Sequence, residues 1–448
     1  MQGTQPIVKV LVGALVMVSL PERAAAEIAA IWALDDGTKI KATETSHPLK
    51  RGNGVYDAVR RQVSLFGARN EVVAFQVILE GGAEQTKDVR VQLDRLGPIH
   101  NFGLSTDPDA YFLGRRIELF AEHYLNVTNR SHALAWEPGS AAEPAGMTGW
   151  IPDALIPIQD DARLVVPANQ NQGVWVDIYI PKETPPGTYR GSFVVQAKGV
   201  PCPLRTCWLP VELRVLDAVL PDTPTAKTML WFSGGELDRN MMYARYSPTY
   251  ETDDFETVER LRMRHFKLGR RHRVTMFLGD QDAPDASIQA RLDGTAFSRE
   301  QGYDGPGEGI GQDMYSIHTY GGELTPSEAQ GWYSSLAPYG PNLEYFLYTM
   351  DEPGPADVEA INRIAANAQP VPSFVTAAPN PDLQVDIYCA FPSIYSLAVA
   401  AQTRAQGKRV WIYNGMRPHT GTFVIDDAAV SPRVNPWIQY TYRIPRWF

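Results

Sequence analysis

The chain has 448 residues, 44% of them hydrophobic and 21% charged, with a formal net charge of −10 at pH 7. That is an ordinary globular composition, long enough for about two to three domains with sizeable cores. The acidic balance excludes a nucleic-acid binder, because no basic stretch is long enough to track phosphates.

The chain opens with Lys9 ahead of an apolar run from Val10 to Leu20, and Ala24-Ala25-Ala26 follow where a signal peptidase would cut. Residues 1–26 are therefore expected to be a secretory signal peptide, too short and wrongly flanked for a membrane span. The mature chain is expected to start near Glu27 and to be exported to a periplasm, a cell surface or the medium. No later segment is apolar for long enough to be a transmembrane segment.

Residues 27–220 read as an all-β unit. Strand-like runs at Val55 to Phe66, Glu71 to Leu79, Val89 to Leu93, Ile117 to Tyr124, Val174 to Ile180, Tyr189 to Ala197 and Cys207 to Leu216 are separated by Gly, Pro or Asn clusters. Short alternating strands with turn signals between them predict a β-sandwich. Cys202 and Cys207 bracket a four-residue loop between two of these runs, so a local disulfide is expected in an exported chain. No second Cys or His pair stands nearby, so no metal is expected. Cys389 reads as a small buried residue.

Residues 221–226 form a proline-bearing linker, and from 227 to 448 the period changes. Thr228 to Phe232, Arg273 to Leu278, Glu344 to Met350, Ser373 to Ala377, Val385 to Phe391 and Arg409 to Asn414 read as strands. Asp254 to Leu268, Ala356 to Ala368 and Tyr395 to Gln406 read as helices between them. That alternation predicts a parallel α/β unit, with an eight-stranded β/α barrel as the leading form. The basic run Arg260 to Arg273 carries Leu261, Met263, Phe266 and Leu268 at helical spacing and reads as a solvated helix face. The glycines between Gln281 and Gly322 follow no strand and match no phosphate-binding spacing, so they predict a surface loop and no nucleotide cofactor. The last helix, Trp437 to Tyr442, is followed by Arg443 to Phe448, which reads as a strand just beginning. The barrel is therefore expected to lack its last strand and to be C-terminally incomplete.

The chemistry is expected where the apolar run Leu343 to Met350 meets Asp351 and Glu352, before Pro353, Gly354 and Pro355 stop any further pairing. Two acids at the C-terminal tip of a buried barrel strand stand on the catalytic face and are candidates for acid/base work. The competing reading has Asp351 capping the next helix and Glu352 solvated. Trp231, Tyr348, Tyr388, Trp411, Tyr413 and Asn414 fall at or near strand ends and are candidate substrate-binding residues, against the reading that strand aromatics are core. His272 precedes a strand, which puts it on the opposite face of a barrel. Arg433 and Trp437 could reach the site.

The chain resembles glycoside hydrolase family 123. The resemblance rests on Gly67 to Gln76, Trp150 to Pro157, Val174 to Pro181 and Pro186 to Gly191 in the sandwich. In the barrel it rests on His272-Arg273, Asp351-Glu352-Pro353, Asp386-Ile387-Tyr388 and Trp411 to Asn414. It implies a sandwich followed by a barrel, acting on β-linked N-acetylgalactosamine by retaining, substrate-assisted hydrolysis through an oxazolinium intermediate. By position it makes Glu352 the general acid/base, and Asp351 the residue that orients the 2-acetamido group and stabilises the developing positive charge. It implies a glycan or glycoconjugate substrate and no cofactor. Two other readings stay open here: a carbohydrate-binding protein on the same fold without activity, or a glycosidase of other specificity using a remote carboxylate such as Asp280 or Glu236.

Overall fold

The computed structural model describes residues 28–448 apart from 103–113, 132–134, 138, 140–145, 160–161, 199, 201, 203–204, 232–254, 278–283 and 285. The expected signal peptide, Glu236 and Asp280 lie outside the described residues. No described helix is long and apolar enough to cross a membrane.

Two large sheets and a two-stranded one, Arg95–Leu96 with Ile99–His100, form the described N-terminal part. One has the order Ile28–Asp35, Glu71–Gly81, Asn171–Ile180, Ile117–Val127, Gly149–Pro157, all antiparallel. The other runs Leu164–Val166, Thr86–Gln92, Gly187–Gln196, Thr206–Val219, Gln62–Arg69, Tyr56–Asp57. Its Thr206–Val219 and Gln62–Arg69 strands pair in parallel. Strand alternation does the sorting: Val174, Val176, Ile178 and Ile180 are fully buried in the intersheet core, while Trp175, Asp177 and Tyr179 take the other face. Ile28–Asp35 and Gly149–Pro157 were not expected as strands. Cys202, in the connection of the Gly187–Gln196/Thr206–Val219 hairpin, is bonded to Cys207 at the start of the second strand, with Cα atoms 5.2 Å apart, as expected.

The second part is one parallel sheet of eight strands: β1 (Lys227–Trp231), β2 (Val274–Phe277), β3 (Met314–Ile317), β4 (Glu344–Met350), β5 (Ser373–Val375), β6 (Ile387–Ala390), β7 (Arg409–Ile412) and β8 (Arg446–Trp447). Their order is β2-β1-β8-β7-β6-β5-β4-β3, the order of a β/α barrel. The described helices are α1 (Phe255–Arg271), α2 (Ala286–Asp293), α3 (Pro326–Leu336), α4 (Val358–Asn367), α5 (Leu397–Ala405) and α6 (Asn435–Tyr442).

The expectation that the last strand is missing is corrected. Two residues suffice for β8, which pairs with β1 through Arg446 and Trp447 and with β7 through Trp447. A two-residue strand carries no periodicity to recognise. The open seam is instead between β2 and β3, where no described backbone ladder forms. Side chains cross it: Thr275 Oγ1 donates to Asp313 Oδ1 at 2.7 Å and Gln312 Nε2 donates to the Met276 carbonyl at 2.9 Å.

Inward-facing residues fill the barrel. Met229, Phe346, Phe374, Cys389 and Trp411 form a buried layer, with the Trp411 ring 5.4 Å from Phe346 and 5.6 Å from Phe374. Leu347 and Tyr345, one residue out of phase on β4, pack outward against the layer that includes Trp332 of α3. Truncating such an inward aromatic costs about 3–5 kcal/mol.

Two further expectations are corrected at the domain junction. The basic end of α1 is not a solvated face: Lys267, Arg270 and Arg271 are buried. Arg271 pairs with Glu118 at 3.2 Å and donates to the carbonyls of Asp304 and Arg115. Arg273 donates to the carbonyl of Asn70, whose Oδ1 accepts from Tyr179 and whose Nδ2 donates to Asp222. The Gly67–Gln76, Val174–Pro181 and His272-Arg273 segments therefore converge on one interdomain contact. The glycine-rich stretch is not a surface loop either. It contains α2 and β3, and residues 303–307 are buried, with Arg270 donating to the Ile310 carbonyl at 2.8 Å. Guanidinium groups there supply the donors that a loop's carbonyls need when water is excluded.

Candidate active site

The site is built from β4. Phe346 and Tyr348 point inward, so simple alternation would send Met350 inward too and Asp351 away from the barrel axis. The structure breaks the alternation. Tyr348 pairs with Phe374 but Met350 pairs with Val375, leaving Thr349 as one extra residue on β4. Such a bulge re-aims the side chains that follow it. Met350 packs outward near α4, and Asp351 comes round to the side of Tyr348.

Glu352 then adopts φ 42°, in the left-handed region that a side chain costs about 1–2 kcal/mol to enter. Its amide donates to Thr376 Oγ1 at 2.7 Å, and the same hydroxyl donates to Asp351 Oδ1 at 2.8 Å. One threonine thus ties the two acidic residues together. Tyr348 donates to Asp351 Oδ1 at 2.6 Å, and Tyr413 donates to Glu352 Oε1 at 2.7 Å. Burial first, and then the bond to Asp351, hold the Tyr348 phenol far above its usual pKa, so it remains a donor. The same two causes, burial and the bond to Glu352, act on Tyr413. Asp351 Oδ2 and Glu352 Oε2 make no hydrogen bond among the described residues. Asp351 is half-buried and Glu352 is exposed. Asp351 caps no helix: the turn ahead of α4 is closed by Asp357, which accepts from the Gly354 amide.

The mouth of the barrel is aromatic. Trp231 is half-buried at the end of β1, and its ring meets Tyr320 edge-on at 4.9 Å. Tyr320 is 51% exposed and lies 6.0 Å from Tyr348. The loop carrying it is pinned to β4 by the Gly322 amide, which donates to the Thr349 carbonyl. Phe391 lies 5.3 Å from Tyr413, and the Phe448 ring stands 5.7 Å from Tyr348. Asn414 is exposed at the start of the loop after β7, with φ 56°.

The expected site residues divide accordingly. Asp351, Glu352, Tyr348, Tyr413 and Trp231 come together at the mouth, and Asn414 stands beside Tyr413. Tyr388 does not join them. It is out of phase with Ile387 and Cys389, packs outward with Ile361 and Ala365 of α4, and donates to the Leu383 carbonyl at 2.6 Å. Trp411 points inward but one layer too deep, and is fully buried between Phe346 and Phe374. Arg433 pairs with Asp36 of the sandwich, and Trp437 is 73% exposed on α6. His272 is at the opposite end of β2, near Asp177 of the sandwich. Thr376, Tyr320 and Phe391 were not anticipated. Thr376 lies two residues beyond inward Phe374, and Phe391 two beyond inward Cys389, so strand parity was the available signal. Tyr320 had none.

Chemically, this is a pair of adjacent carboxyl groups, each held at one oxygen by a buried tyrosine, with the other oxygen unengaged beside aromatic surface. Among the described residues, no group of three or more His, Cys, Asp or Glu side chains is disposed to hold a metal ion.

Residues 131–197 match the family model described as the glycoside hydrolase 123 N-terminal domain. In fold the chain is similar to a family 123 glycoside hydrolase from Clostridium perfringens, studied for glycolipid glycan hydrolysis. The match has 14% identity and a TM-score of 0.53, and covers 94% of this chain and 77% of that one. Two other solved structures align much more loosely and carry no argument. The N-terminal domain of PorA matches with 6% identity and a TM-score of 0.19, over 42% of this chain and 99% of its own. The chitinase ChiW from Paenibacillus sp. str. FPU-7 matches with 10% identity and a TM-score of 0.17, over 88% of this chain and 44% of its own. No curated protein matches the chain.

Proposed function

We propose that the chain is a member of glycoside hydrolase family 123, whose N-terminal domain model matches residues 131–197, and that it removes terminal β-linked N-acetylhexosamine, N-acetylgalactosamine being favoured, by retaining, substrate-assisted catalysis. The observation that carries this reading is the pair Asp351 and Glu352, turned toward one mouth by the bulge at Thr349 and the left-handed Glu352. A nucleophile and an acid on opposite sides of a glycosidic bond stand about 5–10 Å apart. Adjacent residues sharing Thr376 suit a different division of labour.

In that division, Asp351 accepts the N–H of the substrate's 2-acetamido group at its unengaged Oδ2 and stabilises the positive charge that develops there. The acetamido carbonyl oxygen bonds to the anomeric carbon as the glycosidic bond breaks. Glu352 gives its proton to the departing oxygen. A water then loses a proton to Glu352 and attacks the same carbon, the carbon–oxygen bond of the oxazolinium breaks, and the configuration is retained overall. Tyr348 and Thr376 fix the first carboxyl, Tyr413 fixes the second, and Trp231 with Tyr320 offers the flat surface a sugar ring needs. The substrate of this reading is a glycan or glycoconjugate outside the cell, since residues 1–26 carry the pattern of an export signal.

The test compares an aryl β-N-acetylgalactosaminide with the matching β-galactoside. Turnover of the first and none of the second is expected, because only the first carries the internal nucleophile. Comparable turnover of both overturns the reading.

A further inference from the structure

The barrel-facing side of the first sheet holds a cavity of about 270 Å³, just below the about 300–1,000 Å³ range of small-molecule sites. One wall is the sandwich, with Lys39, Glu122, Asp153 and Trp175. The other is the segment after β7, with Phe423 and Ala429. That segment begins at Tyr413 and Asn414 in the active site. It is braced by Asp427, which accepts from Thr422, Ser431 and Arg417.

Glu122 is 3% exposed, and its Oε2 has no hydrogen-bond partner. Leaving a buried polar atom unpaired costs about 1–3 kcal/mol; this oxygen is closed off against Gly173, while the Glu122 side chain itself lines the cavity. Glycine is required beside it: a Cβ at Gly173 would stand 1.9 Å from that oxygen. Asp153 is exposed and makes no ion pair or hydrogen bond among the described residues. Lys39 reaches the Ile425 carbonyl across the cavity at 2.6 Å. Trp175 and the 55% exposed Phe423 add aromatic surface.

We propose that this interdomain cavity is a second carbohydrate site, separate from the acid pair, that takes one neutral pyranose ring. The charges argue for a neutral ligand. Asp36 is matched by Arg433, Asp153 balances Lys39, and burial pushes the Glu122 carboxyl up to about 8, so that at neutral pH it offers an O–H. One hydroxyl donor, one carboxylate acceptor and aromatic surface are what a polyhydroxylated ring can satisfy together. An anion would meet Asp153 without a free cation to balance it.

The test is calorimetric titration of the full chain with galactose, N-acetylgalactosamine and, as an anionic control, glucuronate. Saturable binding of a neutral sugar is expected, weakened at least tenfold by Ala429→Trp, which fills the cavity, and by Asp153→Ala. Turnover of the aryl N-acetylgalactosaminide should be unchanged in both variants, so a failure here is distinct from a failure of the catalytic reading. Asp153→Ala is a surface change and keeps the test valid if Ala429→Trp does not fold. No saturable binding, binding unaffected by the variants, or glucuronate binding as tightly as the neutral sugars overturns the proposal.

Discussion

The Tyr413 hydroxyl donates to Glu352 Oε1 at 2.7 Å, although 60 residues of β/α scaffold separate them in sequence. Tyr413 is the inward residue two beyond Trp411 on β7, so the barrel's alternation places it at the mouth. With its phenol held as a donor by burial, it fixes one oxygen of the proposed acid/base and leaves the other for the leaving group. Tyr413→Phe removes this tether without changing the packing. The expected result is a fall of about tenfold in kcat on the N-acetylated substrate, the size of one lost charge-assisted hydrogen bond, with the Tm within about 2 °C of wild type. A fall in Tm with kcat intact would make Tyr413 structural.

The mouth and the outer face of the barrel predict opposite outcomes for two aromatics that look alike in sequence. Trp231→Ala should raise KM about tenfold, since it removes a half-buried ring beside Tyr320. Tyr388→Phe should leave kcat and KM within about twofold, because its hydroxyl serves the Leu383 carbonyl on the outside of the barrel. Steady-state kinetics on the two variants checks both.

How far the sequence reaches is clearest at these positions. The apolar run ending in Asp351 and Glu352 is legible because a buried strand followed by two acids and Pro353 is a strong local pattern. The β-sandwich is legible through its alternating strands. Tyr388 and Trp411 fall outside the site because strand parity and depth, not nearness to a strand end, decide: Tyr388 is one residue off the inward phase, and Trp411 is one layer down. The bulge at Thr349 leaves no local trace, because it is defined by the register with β5. The same is true of the buried arginines on α1. A guanidinium reads as solvent-facing until the carbonyls and the Glu118 carboxylate it satisfies arrive from another domain.

That junction makes its own prediction. Arg271 is fully buried, and removing one partner of a buried pair costs about 3–5 kcal/mol; here the loss leaves the carbonyls of Asp304 and Arg115 without their donor and Glu118, whose carboxyl burial raises to about 8, without its cation. Arg271→Met should lower stability to denaturant by that order. Adding Glu118→Gln should recover at least about 1 kcal/mol, since it removes the stranded acid. Strict additivity of the two losses would show that the residues do not interact.

Glu122 gives the stability a pH signature. Burial alone raises its carboxyl to about 8, with no ion pair to offset it. A group whose folded pKa lies above its unfolded value of 4.5 contributes stability that is fully present below pH 4.5 and is lost as pH rises through about 8. Each pH unit in that window removes at most about 1.4 kcal/mol. The wild-type Tm should therefore fall from pH 5 to pH 8 more steeply than that of Glu122→Gln. Parallel curves would mean that Glu122 is ionised in the folded protein.

The acid pair is tested most directly by a series of aryl β-N-acetylgalactosaminides whose leaving groups span good to poor, applied to Glu352→Gln and Asp351→Asn. A good leaving group needs little protonation, so Glu352→Gln should turn over the best substrates nearly as fast as wild type and the poorest far more slowly. Asp351→Asn should slow every member of the series by a similar factor, the loss of transition-state stabilisation of about 2–4 kcal/mol. Equal dependence on the leaving group in the two variants, or full activity in either, would contradict the division of roles between Asp351 and Glu352.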